Sequence, residues 1–251
     1  MKLDVLLTPG EPLPADTAER TVVVIDVLRA STTIVEALAA GARAVFPVGT
    51  IEEALRLANT LGREDVLLSG ERKALPIEGF DLGNSPPQFT RRKVAGKTLV
   101  MSTTNGTATM MAASAGARVL IGAFLNFSAV VRDLTRSETQ PIFICSGREQ
   151  RFGIDDAVLA GRFAAAVTAA RPDAAWELND GAAAALVLAE RHKDVLALFR
   201  ASAAGKQIIE AGLGDDLPFC ARVDRHKEVV PVLHDRQIRL EPAPAPAASE
   251  A

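Results

Sequence analysis

VIDVLRASTT, residues 24–33, runs from an apolar stretch into a cluster of polar side chains with no glycine or proline between them. The β-branched segment TVVVIDV (21–27) reads as a strand covered on both faces, and TTIVEALAAGA (32–42) reads as a helix. A carboxylate (Asp26), a guanidinium (Arg29) and the hydroxyls of Ser31, Thr32 and Thr33 therefore stand where a buried strand passes into a helix. Open α/β sheets bind ligands at such joints, outside the carboxyl ends of their strands.

Outward from this joint the same alternation continues. RAVFPV (43–48), DVLLSG (65–70), KTLVMS (97–102), RVLIGA (118–123) and PIFICS (141–146) read as strands. TIEEALRLANTLG (50–62), TATMMAASAGA (107–117) and NFSAVVRDLTR (126–136) read as helices between them. DAVLAGRFAAAVTAARP (156–172) is a long Ala-rich helix that must end near Pro172. The stretch 180–212 reads as wholly helical, and EVVPVLHD (228–235) holds one late strand. The pattern predicts a three-layer α/β fold, a mostly parallel sheet with helices on both faces. It spans residues 1–240 as a single domain or two similar lobes, followed by a disordered Pro/Ala tail, EPAPAPAASEA (241–251).

An internal repeat sharpens this organisation. AAGARAV (39–45) overlays SAGARVL (114–120) without a gap, and in the same register the apolar run 22–25 falls on the strand at 97–100. The segment DVLRAST then meets MSTTNGT. Two strand–polar loop–helix–strand units are implied, each with hydroxyls at the carboxyl end of its first strand.

Composition excludes several function classes. A chain of 251 residues with 48% hydrophobic content can bury a large core. A net charge of −3 argues against nucleic acid as a partner. Cys145 and Cys220 make no disulfide framework, so a reducing cytoplasm is the expected setting. No apolar run has the length of a membrane span, and MKLDVLLTPGEPL does not read as a signal peptide. His192, His226 and His234 lack zinc-site spacing, and no Walker-type loop is present.

Four segments carry candidate chemistry. Ser31, Thr32 and Thr33 stand at one helix start, and Thr103, Thr104, Asn105, Gly106 and Thr107 at another. A helix N-terminus favours anions, phosphate especially. One hydroxyl suffices for a cap, and both loops exceed that need. Asp26 ends an apolar run, where a carboxylate is desolvated unless paired or bound to a cation such as Mg²⁺. An ion pair with Arg29 or a nucleophilic role are its alternatives. The Asp-nucleophile phosphatases of the haloacid dehalogenase type have a second Asp two residues on, where this chain has Leu28.

SGERKALPIEGFDLGNSP (69–86) places Glu71, Arg72, Lys73, Glu78, Asp81, Asn84 and Ser85 among glycines. Such a loop is by default a solvated connection, yet Arg72 and Lys73 suit phosphate or a second acid group. CSGREQRFGIDDAV (145–158) sets Cys145 and Arg151 at the spacing of cysteine-dependent phosphatases. Ile144 and Phe152 depart from that pattern, and a buried Cys ending a strand is commoner. Of Asp155 and Asp156, one is an ordinary helix cap, and the other is placed to complete a metal site with Asp26.

VVVIDVLRASTTIVEALAAGA (22–42), GERKALPIEGFDLGNSP (70–86), STTNGT (102–107) and CSGREQRFGIDDAVLAG (145–161) together resemble the 2-phosphosulfolactate phosphatase family. The resemblance implies a Mg²⁺-dependent acid phosphatase on an α/β fold. Its substrate would be the phosphate ester of 2-phospho-3-sulfolactate, a small molecule with phosphate, sulfonate and carboxylate groups, in coenzyme M biosynthesis. A related phosphorylated 2-hydroxy acid is the other candidate. Arg29, Arg72, Lys73, Arg148 and Arg151 are then expected to neutralise the acid groups, with Ser31, Thr32 and residues 103–107 at the phosphate. Mg²⁺ would be held by Asp26 with Asp155 or Asp156, and Glu71 or Glu78 would be the general base. The competing expectations are a metal-independent cysteine phosphatase built on Cys145 and Arg151, and a binding protein that leaves phosphate esters intact. The Ala-rich helices within 155–212 suit a homodimer interface or, equally, packing against the sheet.

Overall fold

Val22 to Ile25 are fully buried because their strand is covered on both sides. Val23 and Ile25 belong to one apolar core, Val22 and Val24 to a second. The period of two splits one β-branched run between the two faces of a sheet. The same split occurs on the neighbouring strands, with Leu120 and Phe143 on the first side and Val119, Ile121, Ile142 and Ile144 on the other.

The computed structural model describes residues 1–241; the expected tail lies, apart from Glu241, outside the described residues. The strands are β1 (Lys2–Leu6), β2 (Thr21–Ile25), β3 (Ala44–Pro47), β4 (Val66–Arg72), β5 (Leu75–Pro76) and β6 (Thr98–Ser102). They continue with β7 (Arg118–Gly122), β8 (Pro141–Cys145), β9 (Glu177–Leu178), β10 (Pro231–His234) and β11 (Gln237–Leu240). The helices are α1 (Ala30–Ala39), α2 (Ile51–Leu61), α3 (Arg91–Val94), α4 (Gly106–Ala112) and α5 (Phe127–Arg136). After them come α6 (Ile154–Ala170), α7 (Asp180–Arg191), α8 (Val195–Ala201), α9 (Ala203–Glu210) and α10 (Asp216–Cys220).

All the strands join one sheet in the order β5-β4-β6-β3-β11-β10-β7-β2-β8-β1-β9. The fold is thus α/β with a mostly parallel sheet. Parallel ladders link β7, β2, β8, β1 and β9 on one side and β4, β6 and β3 on the other. Between them lies the antiparallel hairpin β10–β11, which pairs outward with β7 and β3. Crossing it reverses strand direction, so the two parallel groups run oppositely along the sheet. Helices α6, α7 and α8 cover the first core, and α1 and α4 pack into the second.

The repeat takes a form that local sequence does not announce. One unit is β2–α1–β3 and the other β6–α4–β7. The second strand of each pairs with the first strand of the other, β3 with β6 and β7 with β2. The units have exchanged strands.

Residues 180–212, expected as one helical stretch, are three helices. Each helix has its own N-cap: Asn179 accepts from the Ala182 N–H, Asp194 from Ala197 and Ser202 from Gly205. Helix α7 lies so close to α6 that a Cβ at Gly161 would sit 1.9 Å from the Ala185 carbonyl oxygen. No helix among the described residues is long and apolar enough to cross a membrane.

Candidate active site

Asp26 follows the last residue of β2 and closes the turn into α1. Its Oδ1 accepts the Ala30 N–H at 3.0 Å, and its own N–H donates to Ser31 Oγ at 2.9 Å. Thr32 Oγ1 donates to the Val27 carbonyl at 2.8 Å, and Thr33 Oγ1 to that of Asn84 at 3.2 Å. The hydroxyls of this loop are fully buried, engaged with backbone, and absent from the cavity wall. They fix the strand-to-helix turn that presents Asp26.

A cavity of about 210 Å³ opens beside Asp26. Asp26 and Arg29 come from the β2–α1 loop, Glu71 and Lys73 from the β4–β5 hairpin, and Asn84 from the loop beyond. Thr103, Thr104 and Asn105 follow β6; Arg148, Asp155 and Asp156 follow β8. The structure thus brings all four sequence segments to one place. Gly106 explains how the β2 and β6 loops meet: a Cβ there would fall 2.5 Å from Asp26 Oδ2 and 2.7 Å from Ala30 Cβ.

Two tight turns frame the opening. Lys73 and Ala74 have φ of 52° and 67° between the paired residues Arg72 and Leu75. Glu149 and Gln150 have φ of 51° and 63° between Arg148 and Arg151, whose backbones exchange two hydrogen bonds of 2.9 Å. Positive φ at both central residues is the type I′ geometry. Lys73 and Arg148 reach the cavity from these turns, whereas Arg151 is exposed outside its wall.

The remaining predicted residues lie as follows. Arg72 donates to Ser102 Oγ at 2.8 Å and to the Ser102 carbonyl at 3.2 Å, tying β4 to β6 outside the cavity wall. Glu78 is exposed and outside it. Thr107 exchanges hydrogen bonds with Thr103 at the start of α4. Cys145 is fully buried in the first core and absent from the cavity wall, and burial, with Asp156 and Asp155 beyond it, raises its thiol well above the ordinary range. Cys145 and Arg151 therefore share no pocket.

The buried carboxylates differ in how they are satisfied. Glu71 accepts the Ala74 N–H at 2.8 Å and the Thr104 N–H at 2.7 Å, bridging the β4 and β6 loops. Asp156 accepts the Val27 N–H at 2.8 Å and the Gly147 N–H at 2.9 Å, one on each oxygen. Burial and the charges of Asp155 and Asp26 nevertheless push it well above the usual carboxylate range. Asp26 is raised to about 7 by burial, against the Ala30 N–H, with Glu71 and Asp155 adding repulsion. Asp155 is raised to about 6, again by burial.

Arg29 does not pair with Asp26. Its Nη1 donates to Asp216 at 2.7 Å and its Nη2 to the Ala74 carbonyl at 2.9 Å, and Ser85 Oγ donates to the other Asp216 oxygen at 2.7 Å. Asp216, the Gln207 side chain that accepts from Arg148 at 3.2 Å, and the wall formed by α9 escape sequence reading. Nothing local marks them, because their partners lie far along the chain.

The cavity gathers buried carboxylates beside Lys73, Arg148 and Arg29, and comparison with known proteins gives its class, a phosphoric monoester hydrolase. The family model described as 2-phosphosulpholactate phosphatase matches residues 7–236, and the chain belongs to that family. A probable 2-phosphosulfolactate phosphatase of Symbiobacterium thermophilum is 40% identical over 93% of this chain and 98% of its own length. One from Thermotoga maritima is 40% identical, covering 90% and 93%. Another, from Caldanaerobacter subterraneus subsp. tengcongensis, is 36% identical, covering 89% and 92%.

Proposed function

We propose that this protein hydrolyses the phosphate ester of 2-phosphosulfolactate, or of a closely related phosphorylated 2-hydroxy acid, with Mg²⁺ as its cofactor. The observation that carries the metal is the contrast among the buried carboxylates. Glu71 and Asp156 have both oxygens bonded to N–H groups of other residues, whereas Asp26 Oδ2 has no such donor and the Asp155 side chain has only its own backbone N–H. Burial, reinforced at Asp26 by the charges of Glu71 and Asp155, holds Asp26 and Asp155 above the carboxylate range, the state a divalent cation would reverse. Among the described residues no three His, Cys, Asp or Glu side chains form a ready metal cage. Mg²⁺ asks for less, since it is usually bound by one or two carboxylates plus water and substrate phosphate. Asp26 and Asp155 fit that demand.

When bound, the ion supplies positive charge to the phosphoryl oxygens. Lys73, Arg148 and the cavity edge of Arg29 draw in the polyanion and hold it. Of the two glutamates, only Glu71 lines the cavity, and it takes the proton of the attacking water on a lone pair its N–H donors leave free. The P–O ester bond breaks and the alkoxide leaves with a proton from solvent. Phosphate release from synthetic 2-phosphosulfolactate should appear with Mg²⁺ and vanish with EDTA. Turnover that survives EDTA would remove the metal, and no release from this substrate or from phosphorylated hydroxy acids would refute the reading.

A further inference from the structure

We propose that Asn84 is a specificity-determining residue, binding a non-reacting acid group of the substrate beside Arg29. The inference rests on the phosphatase reading above. Asn84 lines the cavity and is only 5% exposed, yet its buried side-chain oxygen has no hydrogen-bond partner. Buried polar groups are nearly always bonded, so an amide whose NH2 donors find no protein acceptor at a cavity wall points to an acceptor brought by the ligand.

The backbone that carries Asn84 is fixed. Its carbonyl accepts Thr33 Oγ1 from α1 at 3.2 Å, and the next residue, Ser85, donates to Asp216 at 2.7 Å. Asp216 in turn pairs with Arg29 at 2.7 Å. The Asn84 backbone and the Arg29 guanidinium are thus held by one buried network, anchored on α1 and α10. Two of the five guanidinium donors are engaged with Asp216 and Ala74, and Arg29 shares the cavity wall with Asn84. A planar donor fork beside an amide suits an oxyanion, whether carboxylate or sulfonate. The Nδ2 end of Asn84 donates to no protein group and, unlike Oδ1, is not sealed from the cavity, so it is the end that donates to an anionic oxygen.

The test compares wild type with Asn84→Leu and Asn84→Asp on three substrates: 2-phosphosulfolactate, 2-phospholactate, which lacks the sulfonate, and phenyl phosphate, which lacks both acid groups. Asn84→Leu should lower kcat/KM for 2-phosphosulfolactate at least tenfold, mainly through KM, and leave phenyl phosphate within about twofold. Its Tm should hold or rise, since the substitution removes an orphaned polar group; an amide with a purely structural task would lower Tm. Asn84→Asp keeps the shape, replaces the donor by acceptors, and should show the same substrate pattern if the Leu variant does not fold. A loss retained with 2-phospholactate assigns the carboxylate, and a loss confined to 2-phosphosulfolactate assigns the sulfonate. Equal losses on all three substrates, or undiminished kcat/KM on 2-phosphosulfolactate, overturn the proposal while an active wild type leaves the phosphatase reading standing. A wild type inert on every substrate overturns that reading and this inference with it.

Discussion

Asp26 is held where an ionised carboxylate is costly, at the end of a fully buried strand and near two other acids. Burial raises its carboxyl to about 7 in the folded protein, from an ordinary value of 3.8. Between those values the metal-free folded state keeps a proton that the unfolded chain has released, so stability falls as pH rises through that window. Asp26→Asn removes this dependence. Without metal, near pH ~8, the variant should melt higher than wild type, and added Mg²⁺ should raise the wild-type Tm more than the variant's. The same substitution should lower turnover by at least ~100-fold. A variant with near-normal turnover would take Asp26 out of the chemistry.

Among the elements, the two loop–helix joints depend on each other through Gly106. A Cβ there collides with Asp26 and Ala30, so Gly106→Ala must push the start of α4 away from the start of α1. The expected result is about 1–3 kcal/mol of lost stability, read as a lower Tm, and at least a tenfold fall in kcat/KM. Unchanged kinetics would mean that the two joints are not a rigid pair. The type I′ turn at Glu149–Gln150 makes a contrasting case. Both residues are exposed at positive φ, where Asn and Gly are favoured. The double change Glu149→Asn with Gln150→Gly should stabilise by about 1 kcal/mol, raising Tm by about 2–4 °C. A drop in Tm would show that side-chain contacts of Glu149 outweigh the backbone preference.

Across the whole molecule, the hairpin β10–β11 joins two parallel groups of opposite direction. Val232 and Ile238 are buried in it, and its outer edges complete β7 and β3. A chain ending at residue 230 would leave those edges unpaired in the middle of the sheet. Unpaired apolar edges recruit other chains, so the truncated protein should aggregate rather than remain a folded monomer. A soluble, cooperatively melting monomer would show that the exchanged units meet without the hairpin.

The sequence by itself determined most of the local elements and part of the set of residues that gather at the cavity. Short β-branched runs marked β2, β3, β4, β6, β7 and β8, and the polar loops at their ends marked Asp26, Glu71, Thr103 and Asp155. Those signals are local, set by which faces of a short segment are apolar. The strands β1, β9 and β11 left no such mark; Ile238 is the only residue of β11 that is buried. Tertiary structure alone decided the exchange of strands between the repeated units, the insertion of the hairpin, and the use of each polar side chain. The hydroxyls of 31–33 turned inward to backbone acceptors, Arg29 found Asp216 187 residues away, and Asn84 came to the cavity wall without a partner. Pairing between distant segments depends on which edges and charges remain unsatisfied once the core has formed, and no stretch of sequence carries that information alone.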